Sequence, residues 1–274
     1  MVTLKLEWKL ISKKRSVLYI YLPVNDGNQT IKNIEMSKIP KNFVREKYFS
    51  YAKYLTHGNF NVTAKINANV KRTDKYKEKC NQFFLKKEPG LLMNKTKKFV
   101  KDLANAREVY DWVLRNIGRP ESIERYLVDL TEDNSVDLKM AVRERKAMCG
   151  GKSALFVSMC RNIGIPARVV TGYFMRDGWT WLKDSKFHKK WMDLHVWAEF
   201  YEKGWWLPVD CNIAQQTGKD YFGKFPDYTF KNKDRRIVIS KGSRFLIDRK
   251  VRDSLQTAHF DKASNLKVSL KINA

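Results

Sequence analysis

The chain has 274 residues, 43% of them hydrophobic and 13% aromatic, which is enough apolar material for a sizeable core and excludes wholesale disorder. Its formal net charge is +25, from 54 Lys/Arg against 29 Asp/Glu, a field that favours anionic partners over cationic ones. Four scattered cysteines with no C-x-x-C pair exclude a disulfide scaffold and a Cys-rich zinc site.

Residues 1 to about 75 alternate in the β manner. Leu4, Leu6 and Trp8 are separated by Lys5 and Glu7, Val17–Leu22 is β-branched and aromatic, and the run from Phe60 to Val70 alternates again. The segments Asn25–Asn28 and His57–Asn59 read as turns. Val17–Val24 is too short to span a bilayer and lacks the layout of a signal peptide. We expect an N-terminal β-sandwich-like domain over residues 1–90. Residues 1–100 hold 22 Lys/Arg against 7 Asp/Glu, so the basic character belongs mainly to this part. It is the expected contact for an anionic surface or polymer. No Arg/Lys-with-aromatic module of a specific nucleic-acid type is present.

A helix is expected over 94–117, because Phe99, Leu103, Ala106, Tyr110, Val113 and Ile117 recur at three- and four-residue spacing; Gly118 and Pro120 end it. Another helix opens at Cys149, with Phe156, Met159, Cys160 and Ile163 as its apolar stripe and Gly164 and Pro166 as its stop. Strands follow at 168–174, 195–201 and 205–209, then at 236–240 and 243–248. A Trp- and Lys-rich loop, 175–193, separates the first two. Residues 91–274 thus form a second, mixed α+β domain.

The chemistry concentrates at three positions. Cys149 begins a helix, where unpaired backbone N–H groups favour thiolate over thiol. Gly150 and Gly151 behind it let a substrate carbonyl approach the backbone, and the same N–H groups suit an oxyanion. On the strand from His195 to Tyr201, alternation puts His195, Trp197, Glu199 and Tyr201 on one face. If the following turn is the two-residue Lys203–Gly204, Glu202 faces Trp205 and Asp210 becomes the diagonal neighbour of His195. A three-residue turn would put Asp210 on the wrong face. Nucleophile, base and orienting carboxylate are then all available. Cys160 reads as core and Cys80 and Cys211 as structural. Trp179, Trp181 and Trp191 are candidate walls of a cleft. His57, His188 and His259 have no partner legible in the sequence.

The stretch from Cys149 to Tyr173 (CGGKSALFVSMCRNIGIPARVVTGY), LHVWAEFY at 194–201 and WWLPVD at 205–210 together closely resemble the core of the transglutaminase-like superfamily. The resemblance implies a papain-like core, with the helix carrying the Cys packed on an antiparallel sheet. It implies Cys149 as nucleophile, His195 as base and Asp210 as its partner; Gly150, Gly151, Trp197 and Trp191 are the expected substrate contacts beside them. Neither metal nor cofactor is required. Cys211 and Asn212 stand where Pro-Thr is commoner, and no CxxC module precedes the core, which argues against a peptide N-glycanase. The expected activity is thiol-dependent acyl transfer at an amide bond of a protein or peptide substrate, with hydrolysis favoured over transglutamination. A non-catalytic binding module for an anionic partner is the competing class. As written, the sequence reads as cytoplasmic; an exported protein stripped of its leader would read the same.

Overall fold

The computed structural model describes residues 2–71, 73–86, 88, 91–121, 135–175, 192–225, 236–242, 244–247, 250–253, 258–261 and 265–273. The N-terminal part is a sheet built on two 21-residue strands, β1 (Val2–Leu22) and β4 (Ser50–Val70), paired antiparallel almost end to end. Between them, β2 (Gln29–Met36) and β3 (Asn42–Arg45) both pair with β4. Alternation dictates the buried face: Leu4, Leu6, Trp8 and Leu10 on β1 meet Val62, Ala64, Ile66 and Ala68 on β4, all essentially inaccessible. Each large aliphatic buried this way contributes about 1.5–3 kcal/mol.

One expected turn forms and one does not. At Asn25–Asn28 the Asp26 carboxylate accepts from the N–H of Asn28 (2.6 Å) and of Gln29 (2.8 Å), folding the chain back on itself. His57–Asn59 is not a turn; it lies inside β4. There the β1–β4 register slips between Ser12 and Ser16, and Gly58 adopts φ +67° opposite the bulge, a backbone state that glycine supplies without strain.

The expected helix over 94–117 is broken into pieces. A single turn, Met93–Thr96, runs into a 3-10 turn, Lys97–Phe99, and the true helix is Ala106–Asn116. The break comes from Asn105, whose extended backbone and side chain cap the new helix by accepting from Glu108 N (3.0 Å), while Glu108 accepts from Ala104 N and Asn105 Nδ2. A periodic stripe survives because both segments bury the same side against one core.

The second part is a four-stranded antiparallel sheet in the order β7-β6-β5-β8, with β5 at Ala167–Met175, β6 at Met192–Glu202, β7 at Trp205–Val209 and β8 at Arg236–Lys241. The helix Cys149–Asn162 packs on one face of it, flanked by Ala106–Asn116, Ser135–Glu144 and the short helix Cys211–Thr217. From Gly150 to Arg161 every residue of the Cys149 helix is buried, so its surroundings are core on all sides rather than along one stripe. The opposite face of the sheet offers Tyr173, Ile237 and Ile239 to the N-terminal sheet. Beyond β8, a hairpin of β9 (Arg244–Ile247) and β10 (Lys250–Asp253) precedes two strands that return to the first sheet, where β11 (Ala258–Asp261) and β12 (Asn265–Asn273) both pair with β1. This α+β layout is the mixed helix and antiparallel-sheet fold that the sequence motifs imply.

Candidate active site

Cys149 is the first residue of its helix; Met148 occupies the N-cap without a side-chain bond. The first helical hydrogen bond runs from Lys152 N to Met148 O (3.0 Å), so the N–H groups of Cys149 and Gly150 precede it and carry the positive end of the helix dipole. Cys149 is half-buried, whereas Cys160 and Cys211 are fully buried. Burial pushes both of those thiols up, with the charge of the other thiol adding at Cys160 and Asp210 adding at Cys211. Of the three, only Cys149 combines access with a helix N-terminus.

The register between helix and sheet is set one turn along. Ser153 Oγ donates to the carbonyl of Val196 (3.2 Å), the residue after His195, and so ties the Cys149 helix to the strand that carries the imidazole. On that strand the hairpin has the two-residue turn: Glu202 pairs with Trp205, Tyr201 with Trp206 and Ala198 with Val209. Lys203 and Gly204 both have positive φ, +49° and +86°, the pattern of a turn whose twist matches its strands. Asp210 therefore falls on the His195 face.

His195 is buried and its Nε2 lies 2.6 Å from Asp210 Oδ2. The other oxygen, Oδ1, accepts from Ile213 N (2.9 Å) and caps the helix Cys211–Thr217, so both lone-pair edges of the carboxylate are committed and its plane is fixed. With Nε2 engaged, Nδ1 is the ring nitrogen left for a second partner. Burial pulls the imidazole down, but the Asp210 carboxylate and Cys149 more than offset it, and the ring is pushed up to about 9. The ring is therefore an imidazolium at neutral pH, paired with the Asp210 carboxylate.

Trp197 is 1% exposed and lies nearly parallel to His195, at 18° with centroids 6.4 Å apart. Its placement depends on Gly172, the residue paired with His195 across β5–β6. A Cβ at Gly172 would come 2.8 Å from the Trp197 ring and 2.5 Å from Ile237 O. Gly150 and Gly151 are buried under the first turn of the helix. Trp191, like Trp179, Trp181 and His188, lies outside the described residues. His57 is exposed on β4, away from the cluster. Among the described residues no group of His, Cys, Asp and Glu is arranged to hold a metal ion, and no helix is long and apolar enough to cross a membrane.

One feature beside the site escaped the sequence reading. Glu199, two positions past Trp197, accepts from Arg168 Nε (2.9 Å) and from the Tyr76 hydroxyl (2.6 Å). Arg168 also reaches Glu78 (3.0 Å) and lies 3.7 Å over the Trp206 ring, and Lys241 pairs with Asp26 (3.0 Å). Tyr76 accepts from both Arg168 and Lys241. This buried network joins the N-terminal sheet to β5, β6 and β8. No local pattern in the sequence marks it, since its members are far apart along the chain.

Residues 92–211 match the family model of the transglutaminase-like superfamily. Over that stretch the chain carries a transglutaminase-like core. No curated protein sequence matches it. Among solved structures it is similar to a "Putative Cysteine Protease" from Cytophaga hutchinsonii, at 15% identity and a TM-score of 0.61, covering 99% of this chain and 90% of that one. At that identity the likeness is one of fold, and it extends over the N-terminal sheet as well as the transglutaminase-like core. The periplasmic domain of TgpA from Pseudomonas aeruginosa also aligns, at 10% identity and a TM-score of 0.35, over 79% of this chain and 89% of that one.

Proposed function

We propose that the protein is a thiol-dependent hydrolase of amide bonds in proteins or peptides, with Cys149 as nucleophile, His195 as acid–base and Asp210 as the group that orients it. The observation that carries this reading is the buried His195–Asp210 pair at 2.6 Å on the strand that Ser153 ties to the helix opening at Cys149. In the first step the Cys149 proton rests on His195 and the thiolate adds to the carbonyl carbon. The oxygen of the resulting tetrahedral adduct faces the N–H groups of Cys149 and Gly150. Collapse expels the amine, which takes the proton from His195, and leaves a thioester on Cys149. Water, deprotonated by His195, then adds to the thioester and releases the carboxylic acid and the free thiol. Asp210 stabilises the imidazolium in both halves without taking a proton itself.

Two measurements test this. Alkylation by iodoacetamide should modify Cys149 far faster than Cys80, whose thiol is pushed up by burial. Equal rates at the two cysteines would end the reading. Mass spectrometry of the protein mixed with casein peptides and a primary alkylamine then separates the acceptors. Cleaved peptides mark hydrolysis, and amine-tagged glutamines mark transamidation instead.

A further inference from the structure

Residues 145–148 join the helix Ser135–Glu144 to the helix that opens at Cys149, and they are held from two sides. Arg145 has φ +58°, the left-handed state that often ends a helix and that glycine adopts freely. With a side chain the same state crowds the following carbonyl, so it persists only where its surroundings impose it. The backbone supplies one anchor. Gly118 N donates to Arg145 O (2.7 Å) and Ala147 N donates to Gly118 O (3.1 Å), a short parallel bridge to the chain just past the helix Ala106–Asn116. The side chain supplies the other. Its guanidinium lies 4.1 Å from the centre of the Phe99 ring and 5.0 Å from that of Trp112, and the two rings stack on each other at 5.0 Å and 21°. A planar, weakly hydrated cation suits such a surface better than an ammonium does. Arg145 Nη1 is buried without a hydrogen-bond partner among the described residues, as a guanidinium held by ring faces would be. Glycine would relieve the backbone here but could not reach the rings.

Both anchors bear on what comes next. Met148 takes the N-cap of the Cys149 helix without a side-chain cap bond, so the cap itself does not fix where the first turn starts. Ala147, one residue earlier, is buried and bonded to Gly118. On the upstream side the helix start is therefore held by that bridge and by Arg145. We infer that Arg145 is a positioning residue: its left-handed backbone and its grip on Phe99 and Trp112 fix where the Cys149 sulfur and N–H stand against His195. It acts through the connection to Cys149 and not on the reacting atoms. The inference rests on the hydrolase reading for the reaction it serves, but the placement of the sulfur can be read without turnover.

The test compares the full native chain with Arg145→Ala, which keeps the strain and loses the grip, and Arg145→Gly, which loses both. The melting temperature should be higher in Arg145→Gly than in Arg145→Ala, since glycine tolerates the backbone. Activity should not follow that order. In both variants kcat on a casein peptide should fall roughly ten- to a hundredfold with KM nearly unchanged. The ratio of iodoacetamide rates at Cys149 and Cys80 should fall with it. Arg145→Lys, long enough to reach the rings, should recover part of both. A role in stability alone would let Arg145→Gly regain activity along with its melting temperature, and that outcome overturns the inference. So does an unchanged rate ratio in both variants or, where the native protein turns over, an unchanged kcat. Turnover by the native protein is scored separately. No cleavage by native protein, together with a ratio that falls in both variants, overturns the hydrolase reading and supports the positioning role, whereas cleavage with an unchanged ratio does the reverse.

Discussion

Asp210 has two tasks with one carboxylate, and they separate on substitution. Oδ2 faces His195 Nε2 and Oδ1 caps the helix Cys211–Thr217. Asp210→Asn keeps an oxygen for the cap and removes the charge, so the cap should survive while kcat/KM on a casein peptide falls roughly 10²–10⁴-fold. Asp210→Ala should additionally lose about 1 kcal/mol of stability with the cap, visible as a lower denaturation midpoint. The pH dependence follows from the raised imidazole. Its charged form is stabilised by the folded state, so the stabilisation is complete below the ordinary histidine value of 6.5 and is lost as pH rises through about 9. The alkaline limb of kcat/KM should therefore lie near pH 9 in the native protein and move toward neutrality in Asp210→Asn, where the charge opposing burial is gone. A limb that stays put in the variant would mean that Asp210 does not hold the proton on His195. These three positions were legible because each has a local signature: a Cys-Gly-Gly helix start, a His on an alternating strand, an Asp directly after a hairpin's last buried pair. The Asp210 cap was legible too, and was missed. Asp at the N-cap and Gly218 at φ +67° bracket the helix with the usual start and stop residues.

At the level of elements, the site is a matter of register. The turn at Lys203–Gly204 decides which face Asp210 occupies, and the pairing of Gly172 with His195 decides how much room Trp197 has. Gly172→Ala is the sharper probe. Its Cβ has no free space, because Ile237 O and the Trp197 ring stand at 2.5 and 2.8 Å, and backbone cannot retreat cheaply from a paired strand. The indole must swing, and it lies against His195. We expect Gly172→Ala to lower kcat more than it raises KM and to cost about 1–3 kcal/mol of stability by overpacking, checked by steady-state kinetics beside urea denaturation. The same glycine in a sequence reads only as a weak point in a strand. What makes it necessary is a ring contributed from the neighbouring strand, and no local pattern reports that. The broken helix before Gly118 teaches the reverse: its spacing was right, but spacing cannot distinguish one helix from two that share a core, and only Asn105 with Glu108 marked the seam.

Across the whole molecule, the N-terminal sheet and the transglutaminase-like core are joined by buried charge. Arg168 is inaccessible and serves Glu199, Glu78 and Tyr76 at once. Arg168→Met would keep much of the packing on Trp206 and leave the Glu199 carboxylate buried without its arginine, which should cost about 3–5 kcal/mol, read from the urea midpoint. Glu199 gives the acid side of the same bond. Burial raises its carboxyl, but Lys241, Arg168 and the Tyr76 hydroxyl outweigh this and hold it below 4.5. The stabilisation is thus present above the ordinary glutamate range and fades as pH falls through the folded value. Acid unfolding should start at higher pH in Arg168→Met than in the native protein. None of this joint could be read in advance, since its members come from positions 26, 76, 78, 168, 199 and 241 and meet only when both sheets are in place.

The pairing of β1 with both β4 and β12 sets how the molecule would yield to force. Thr3 opposes Asn273, so tension applied at those two residues loads the antiparallel bonds of β1 and β12 one pair at a time, as a zipper opens, instead of all together in shear. An optical trap pulling there should see β12 peel at low force, followed by a second, larger event when β1 is torn from β4. Handles placed on the Cys149 helix and β6 should meet the packed core first.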